Sequence, residues 1–505
     1  MSSYPRQYNA AADMVDRHVA EGRGAKAAFV DLTRTLTYGE LAAESNQAAN
    51  LMGTLGLRRE ERAACILLDT CDYPVIFWGA VKAGVVPIAL NTLLTTEQYE
   101  YILSDSRARV LFVSAPLLPV VQPILDKLPS LQEVVVVGEG DFAAQRAAQP
   151  AEFTLVDTIA DEVAFWLYSS GSTGMPKGTK HLHTSAIETC RLYAKPVLGI
   201  TEDDVFLSAA KLFFAYGLGN GMTFPLSVGG TGILWPERPT PDAMFSLMQQ
   251  HKPTLYFGVP TLYGAMLAGS ETDAGGNLRF CVSAGEALPE DIGTAWEARF
   301  GVPILDGIGS TEMLHIFLSN KPGAVRYGTS GKAFEGYDLR LVDDDGTLLG
   351  DDEIGELVVR GPTAAEGYWN QREKSRLTFR GEWTHTGDKY MRSADGYYTY
   401  QGRTDDIFKV SGIWVSPFEV ESALISHPAV LEAAVVPHDE GDGLLKPKAF
   451  VVLQSSDAAS DDLFEALKAH VQKSVGPWKY PRWVTVVDEL PKTATGKIQR
   501  FKLRG

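Results

Sequence analysis

One short segment of this chain carries many of the residues that could hold a charged ligand. Residues 168–178 read YSSGSTGMPKG and directly follow an apolar run, Val163 to Leu167, that predicts a buried strand. Glycines let a backbone come close to a ligand, and hydroxyls, backbone N–H groups and a lysine all bind phosphate oxygens. We therefore expect a polyphosphate to be held here, by Ser169, Ser170, Gly171, Ser172, Thr173, Gly174 and Lys177.

The segment differs from the two common nucleotide-binding loops. The Walker pattern requires Gly-x-x-x-x-Gly-Lys-Ser/Thr, whereas Pro176 precedes the lysine here and Gly178 follows it. The dinucleotide pattern G-x-G-x-x-G is also absent from the segment. A Ser/Gly-rich surface linker is the alternative, but the preceding strand, Pro176 and Lys177 are together unusual for a linker.

The segment resembles the phosphate loop of the adenylate-forming superfamily, which includes acyl-CoA and aryl-CoA ligases, peptide-synthetase adenylation domains and luciferases. Further segments resemble that family's motifs and follow in its order along almost the whole chain. They are residues 283–289 (SAGEALP), 306–312 (DGIGSTE), 383–388 (WTHTGD) and 491–500 (PKTATGKIQR).

The DGIGSTE segment can supply several contacts to ATP. Glu312 offers the hard oxygen that Mg²⁺ prefers, and the Thr311 hydroxyl can bind the α-phosphate. By the resemblance, Asp306 accepts from the adenine amino group, and Gly307 lets the flat ring approach closely. The family usually has tyrosine where Ile308 stands, so one aromatic contact to adenine is expected to be missing. A glycine-rich turn with a Thr/Glu cap is the alternative.

The resemblance also implies contacts to the ribose and to the transition state. Asp388 would accept hydrogen bonds from the ribose hydroxyls, and Arg403 would contact the ribose or a phosphate; a capped turn is the alternative for Asp388. Lys497 is the expected catalytic lysine, because its ammonium can touch both the attacking carboxylate and the α-phosphate. A solvated basic tail is the alternative, and the Thr/Gly pattern around Lys497 disfavours it.

The resemblance implies two closed arrangements of the domains. The first brings Lys497 to the phosphate loop and forms the acyl-adenylate. The small domain then turns about Asp405, and residues 409–414 replace the lysine. Gly412 would leave room for the pantetheine arm of coenzyme A. The expected contacts to coenzyme A come from Lys409, Ser411, Gly412 and Trp414.

A mixture of aromatic residues and glycines at residues 211–220 (KLFFAYGLGN) suits a flat pocket for one ring. This segment resembles its counterpart in benzoate-CoA and hydroxybenzoate-CoA ligases, as do residues 312–317 and 402–421. His315 is the obvious polar group of the implied pocket, and a core histidine with satisfied hydrogen bonds is the alternative. The resemblance implies a ring pocket lined by Ala215, Tyr216, Gly285, Gly309, His315 and Ile316.

The chain has 505 residues, which is enough for two or more domains. Short Val/Ile/Leu-rich strands alternate with helical patterns from about residue 25 to 360, which predicts flanked parallel sheets. Turn signals at residues 343–346 and 394–396 indicate a β-rich subdomain or barrel at about 337–401. We therefore predict an α/β fold with a large domain, 1–404, and a small mobile α+β domain, 405–505.

The net charge of −17 argues against non-specific binding to DNA or to anionic membranes. Four cysteines form no CxxC pair, which is typical of a reduced, intracellular protein. The N-terminus shows no signal peptide, and the longest apolar stretch, Pro74 to Leu90, is too short and broken to span a bilayer. We therefore expect a cytoplasmic protein with no nucleic-acid or membrane partner.

The resemblance implies an ATP-dependent aryl-CoA ligase that uses ATP, Mg²⁺ and coenzyme A. It would convert benzoate or a hydroxybenzoate to the CoA thioester through an aryl-AMP intermediate. The alternatives are a ligase for another substituted benzoate (2-aminobenzoate or a halobenzoate), an adenylation enzyme that loads a carrier protein, and a non-catalytic nucleotide-binding protein. The sequence leaves open the ring substituent, the choice between monomer and homodimer, and the resting domain arrangement.

Overall fold

The computed structural model describes residues 4–171, 174–271, 273–274, 276–404, 406–410, 413–439, 445–455, 459–476, 478–492 and 498–504. Within these residues the strands form five sheets, of which two large mixed sheets carry most of the flanking helices. The predicted α/β class is confirmed. The α-helices are α1 (Arg17–Ala20), α2 (Tyr38–Thr54), α3 (Asp72–Lys82), α4 (Thr96–Ser106), α5 (Leu118–Val121), α6 (Phe142–Ala147), α7 (His183–Thr189), α8 (Ala215–Leu218), α9 (Phe224–Val228), α10 (Pro241–His251), α11 (Pro260–Ala268), α12 (Glu290–Phe300), α13 (Arg372–Thr378), α14 (Pro417–Ile425) and α15 (Asp461–Val475).

A seven-stranded sheet carries the phosphate-loop segment at one side. The strand order is β18-β8-β7-β4-β3-β5-β6, with parallel pairing from β7 to β6 and antiparallel pairing of β7 with β8 and of β8 with β18. Its inner parallel strands are almost entirely buried, as expected for strands covered on both faces. The bounds are β3 (Arg62–Ile66), β4 (Val86–Ala89), β5 (Val110–Ser114), β6 (Glu133–Val137), β7 (Val163–Gly171), β8 (Gly174–Leu182) and β18 (Gly367–Tyr368).

A nine-stranded sheet carries the DGIGSTE segment. Its order is β15-β14-β13-β12-β11-β9-β10-β1-β2, and the strands from β13 to β1 are parallel. The carboxyl ends of parallel strands meet at one edge, where open α/β sheets bind ligands. The bounds are β1 (Ala27–Val30), β2 (Thr35–Thr37), β9 (Val205–Ser208), β10 (Thr231–Ile233), β11 (Leu255–Gly258), β12 (Phe280–Ser283), β13 (Ile304–Gly309), β14 (Ile316–Ser319) and β15 (Lys332–Ala333).

A five-stranded antiparallel sheet occupies the predicted β-rich region. It is branched, with the order β16-β17-β20-β19 and β21 paired to β20. Both predicted turns are present, and each uses a glycine in the left-handed region, Gly346 at φ 84° and Gly396 at φ 87°. The bounds are β16 (Asp338–Val342), β17 (Ile354–Arg360), β19 (Phe379–Arg380), β20 (Trp383–Arg392) and β21 (Tyr398–Arg403).

The residues after 405 form their own sheets and their own apolar cluster. That cluster draws its members only from residue 408 onward among the described residues. The two α-helices of this region, α14 and α15, each begin at a side-chain cap. The Ser416 hydroxyl accepts from Glu419 N, and the Ser460 hydroxyl accepts from Leu463 N. The domain boundary at Asp405, which lies outside the described residues, stays a prediction. The strands are β22 (Phe408–Val410), β23 (Ile413–Val415), β24 (Val430–His438), β25 (Lys446–Leu453) and β26 (Trp483–Val486).

Among the described residues, no helix is both long and apolar enough to cross a lipid bilayer.

Candidate active site

The phosphate-loop segment is a β-hairpin rather than a continuous turn-rich loop. β7 continues through Gly171 and β8 begins at Gly174, so Lys177 lies within a strand, directly opposite Ser169. This pairing fixes the backbone on both sides of the glycine turn. Of the residues predicted to hold phosphate, Ser170 lies near the end of β7, while Ser172 and Thr173 lie outside the described residues.

Glu312 is held at this hairpin by three polar neighbours. The Tyr368 hydroxyl donates to Glu312 Oε1 at 2.7 Å, and the Ser169 hydroxyl donates to the same oxygen at 3.4 Å. Lys177 Nζ lies 3.8 Å from that oxygen. Burial raises the pKa of Glu312, but the Lys177 ammonium and the Tyr368 hydroxyl outweigh it and bring the pKa below its ordinary value. The carboxylate is therefore ionised at neutral pH.

An ionised Glu312 fits a magnesium ion that arrives with phosphates. Among the described residues, no group of three or more His, Cys, Asp or Glu side chains is arranged to hold a metal ion. Mg²⁺ at phosphate-transfer sites is usually held by one or two carboxylates together with the phosphates of the substrate. A single carboxylate beside the phosphate-loop lysine matches that pattern.

The DGIGSTE segment is strand in its first half and a tight turn in its second. Gly309 ends β13, and the turn to β14 places Leu314 at φ 64°, with Leu314 N donating to Thr311 O at 3.2 Å. The Asp306 side chain is buried, and within the described residues its Oδ1 has no hydrogen-bond partner. Burial raises its pKa well above the ordinary value. Buried polar atoms are normally partnered, so an incoming amino donor would complete this site.

Asp388 and Arg403 face each other across β20 and β21. Arg403 Nη1 donates to Asp388 Oδ1 at 2.9 Å and to Thr386 O at 3.1 Å. Asp388 raises the pKa of Arg403 above its ordinary value, so the guanidinium stays charged. Arg403 also contributes to lowering the pKa of Glu312, which places its charge within electrostatic reach of the phosphate side of the site.

Of the predicted ring-pocket residues, Tyr216, Gly309 and Ile316 lie around His315. The rings of Tyr216 and His315 lie 5.6 Å apart, and Gly309 pairs with Ile316 across β13 and β14. A Cβ added to Gly309 would lie 2.5 Å from His315 O, so only glycine fits there without a shift of the backbone. Ala215 begins α8, next to Tyr216, and Gly285 follows β12 at φ 98°, with no atom within 4 Å of an added Cβ.

His315 is held as a neutral ring by two oxygen acceptors. Its Nε2 lies 3.1 Å from Asn220 Oδ1 and 3.3 Å from Tyr216 O, so Nε2 carries the proton and donates to both. Burial lowers the pKa of His315 to about 3. Among the described residues, its Nδ1 and the Asn220 amide nitrogen have no partner. The ring is thus anchored like a core histidine, yet retains one unused polar atom.

Two residues of this site were absent from the sequence predictions. Tyr368 joins the phosphate-loop lysine to Glu312, and Asn220 fixes His315. Asn220 is the last residue of the KLFFAYGLGN segment, so its position beside predicted pocket residues was the available signal. Tyr368 is preceded by Gly367 in a short strand, and only the pairing of β18 with β8 brings it to the site.

The predicted coenzyme A and tail residues are only partly described. Lys409 and Trp414 pair across the β22–β23 hairpin, while Ser411 and Gly412 lie outside the described residues. Lys497 also lies outside them. The tail just beyond it is anchored, because Arg500 donates to both carboxylate oxygens of Glu421 at 2.8 and 2.6 Å.

Comparison with known proteins gives matches along almost the whole chain. A family model described as AMP-binding enzyme matches residues 16–369, and one described as AMP-binding enzyme C-terminal domain matches residues 419–497. A 4-hydroxybenzoate–CoA/benzoate–CoA ligase of Rhodopseudomonas palustris is 55% identical, covering 99% of this chain and 94% of the relative. A benzoate–CoA ligase of Thauera aromatica is 56% identical, covering 99% and 96%.

Solved structures match equally well. A benzoate CoA ligase from Burkholderia xenovorans LB400 superposes with a TM-score of 0.92 at 51% identity, covering 99% of this chain and all of that one. The anthranilate CoA ligase AuaEII, solved with anthranoyl-AMP, superposes with a TM-score of 0.95 at 43% identity, covering all of this chain and 98% of that one.

Proposed function

Because the chain belongs to the AMP-binding enzyme family, we propose that it is an ATP-dependent aryl-CoA ligase acting on benzoate or a hydroxybenzoate. It is an AMP-forming acid–thiol ligase that releases AMP and pyrophosphate. The observation that carries this function is the turn between β13 and β14. Glu312 on that turn lies 3.8 Å from the phosphate-loop lysine, and the ring of His315, three residues on, lies 5.6 Å from the ring of Tyr216. A ring acid in the pocket therefore presents its carboxylate to a nucleotide phosphate.

The first step joins the acid to the nucleotide. A carboxylate oxygen of the acid attacks the α-phosphorus in line, a new O–P bond forms, and the bond to pyrophosphate breaks. The hairpin residues and Lys177 hold the β- and γ-phosphates, Thr311 binds the α-phosphate, and Lys497 stabilises the charge that builds on phosphorus. Glu312 would hold the Mg²⁺ of MgATP, and the charge of that ion would neutralise the phosphate oxygens.

The nucleoside is held by the two neighbouring sheets. Asp306 accepts from the adenine amino group, which gives its buried Oδ1 a partner, and Gly307 lies against the ring. Asp388 accepts from the ribose hydroxyls, with Arg403 fixed beside it. The nucleoside site thus spans β13 on one sheet and the β20–β21 pair on the other.

The second step transfers the acyl group. The thiol of coenzyme A attacks the carbonyl carbon of the mixed anhydride, and AMP leaves. The small domain, 405–505, turns about Asp405 relative to residues 1–404, and Lys409, Ser411, Gly412 and Trp414 line the path of the pantetheine arm. The enzyme acts in the cytoplasm on small molecules, without a nucleic-acid or membrane partner.

Two assays with one substrate panel test this function. Purified protein with MgATP is given benzoate, hydroxybenzoates, 2-aminobenzoate and halobenzoates, and acid-dependent exchange of labelled pyrophosphate into ATP is measured. Thioester formation is then followed with free coenzyme A or with an added carrier protein as the acceptor. Exchange with aryl acids and transfer to free coenzyme A support the proposal. Transfer only to the carrier protein supports the alternative, and no exchange with any aryl acid contradicts both.

Replacing Gly412 by leucine tests the predicted pantetheine path. We expect pyrophosphate exchange within about twofold of the parent, and coenzyme A transfer at least tenfold slower, since a side chain there would narrow the path. Gly53→Leu is the matched control, because Gly53 is exposed and an added Cβ meets no atom within 4 Å. Normal overall turnover in the Gly412 variant would remove that residue from the mechanism.

Replacing Asn220 by aspartate tests the neutral state of His315. The parent should show no titration of His315 between pH 5 and pH 9, because its pKa is lowered to about 3. A carboxylate 3.1 Å from Nε2 favours the imidazolium and raises the pKa of His315.

An imidazolium in this pocket disfavours binding of an apolar ring. The kcat/KM for benzoate should therefore fall roughly tenfold at low pH. It should recover as pH rises through the new pKa. Asn50→Asp is the control, because the Asn50 amide contacts only backbone oxygens of surface residues. A parent-like pH profile in Asn220→Asp would show that His315 does not face the acid.

A further inference from the structure

We infer that Tyr368 is a positioning residue for adenylation, and that its hydroxyl keeps the Lys177 ammonium and the Glu312 carboxylate apart so that both can serve MgATP. This inference rests on the proposed function. The hydroxyl lies between the two charges, 3.2 Å from Lys177 Nζ and 2.7 Å from Glu312 Oε1. The direct distance between the two charged groups is 3.8 Å.

The backbone holds Tyr368 rigidly in this place. β18 pairs with β8 so that Tyr368 lies opposite Thr179, on the strand that carries Lys177. Its own N–H donates to the Ser375 hydroxyl at 3.0 Å, and the next residue, Trp369, donates its N–H to Gly178 O at 2.7 Å. The side chain is buried, with 5% of its surface exposed. These contacts fix the backbone position from which the phenol reaches the two charges.

The lysine lies on the face of the Tyr368 ring. Lys177 Nζ is 4.3 Å from the ring centroid, at which distance the electrons of the ring attract the ammonium. Strand geometry produces this contact, since residues two apart on β8 share a face and Thr179 is the register partner of Tyr368. The ring and the hydroxyl together hold the ammonium beside the carboxylate, without the close contact of a direct ion pair.

A direct ion pair would withdraw both groups from the substrate. Charge-assisted N–H···O bonds of an ammonium to a carboxylate are normally about 2.7–2.9 Å long. Here Lys177 Nζ and Glu312 Oε1 are 3.8 Å apart, and the phenol accepts from the ammonium and donates to Glu312 Oε1. The second carboxylate oxygen is left for a metal. Without the hydroxyl, lysine and glutamate would close the gap, and MgATP would have to separate them.

Replacing Tyr368 by phenylalanine removes only this hydroxyl. We expect kcat/KM for MgATP in benzoate-dependent pyrophosphate exchange to fall about 10- to 100-fold, as is usual when a partner of a metal ligand is lost. The KM for benzoate and the rate of thioester formation from supplied benzoyl-AMP should stay within about twofold of the parent, because neither the ring pocket nor the thiol-transfer step uses the metal. Impairment of all three quantities together would indicate a general structural defect and contradict the positioning role.

Binding of Mn²⁺ in the presence of a non-hydrolysable ATP analogue, measured by electron paramagnetic resonance, is the second readout. The Tyr368→Phe variant should bind Mn²⁺ at least fivefold more weakly than the parent. Mn²⁺ affinity and exchange kinetics both within twofold of the parent would overturn the inference. This titration needs no aryl acid, so it decides the role of Tyr368 even if the parent forms no aryl-adenylate and the proposed function fails.

Tyr327→Phe is the matched control. The Tyr327 hydroxyl also donates to a glutamate oxygen, Glu297 Oε2, at 2.7 Å, and Glu297 is an exposed residue of α12. It therefore removes the same kind of hydrogen bond of the same length away from the site. The control should bind Mn²⁺ and exchange pyrophosphate like the parent.

Discussion

Replacing Lys497 by alanine is expected to lower benzoate-dependent pyrophosphate exchange by about 100- to 1,000-fold, the usual loss when one group that stabilises transition-state charge is removed. Thioester formation from supplied benzoyl-AMP should remain close to the parent rate, because in the proposed mechanism Lys497 leaves the site before coenzyme A reacts. The measurement is the two half-reactions assayed separately. Equal loss of both would contradict the two-arrangement mechanism.

Lys492→Ala is the control within the same motif. Lys492 pairs with Glu432 at 2.5 Å, and its backbone bridges to Ile498. Its loss removes one positive charge from the same tail, so a general electrostatic effect would lower exchange in both variants. Parent-like exchange in Lys492→Ala would assign the loss to Lys497 itself.

Replacing Glu312 by glutamine is the second change with a large expected effect. It removes the ionised ligand proposed for Mg²⁺ and leaves the Lys177 ammonium without its counter-charge. We expect exchange to fall about 100-fold or more at a fixed Mg²⁺ concentration. The loss should be partly recovered at high Mg²⁺, which a titration of exchange rate against Mg²⁺ measures. Glu335→Gln, an exposed site, is the control.

The pH dependence has a defined sign in the parent. The pKa of Glu312 is lowered in the folded protein, so its charged form persists as pH falls through the ordinary glutamate range. The part of the pyrophosphate exchange rate that requires an ionised Glu312 should therefore persist until pH falls below that range.

An unchanged Mg²⁺ dependence in Glu312→Gln would exclude this carboxylate as the metal ligand.

The α+β character of the last hundred residues could be predicted because its signals are local. Ser416 and Ser460 cap their helices, and Pro417 occupies the first helical turn, where a missing N–H costs nothing. The apolar run from Ala449 to Leu453 on β25 predicts a strand, and burial alternates along it between buried and half-buried residues. These preferences are set by neighbours within a few residues, so sequence alone reveals them.

The parts of the site that depend on distant contacts could not be predicted. The Tyr368 hydroxyl meets Lys177 across 191 positions of sequence, through a two-residue strand that has no periodicity to detect. The phosphate loop was predicted from its hydroxyls and lysine, but its hairpin pairing was not, because local glycine signals indicate a turn equally well. For His315, the pattern could not separate a core residue from a ligand contact, since that depends on Asn220.

The most direct test of the central claim follows the oxygens of the acid. Benzoate labelled with ¹⁸O in its carboxylate is converted with MgATP and coenzyme A, and the products are analysed by mass spectrometry. If the carboxylate attacks the α-phosphorus, AMP carries one labelled oxygen and pyrophosphate carries none. Unlabelled AMP, or label in inorganic phosphate with release of ADP, would contradict an aryl-AMP intermediate.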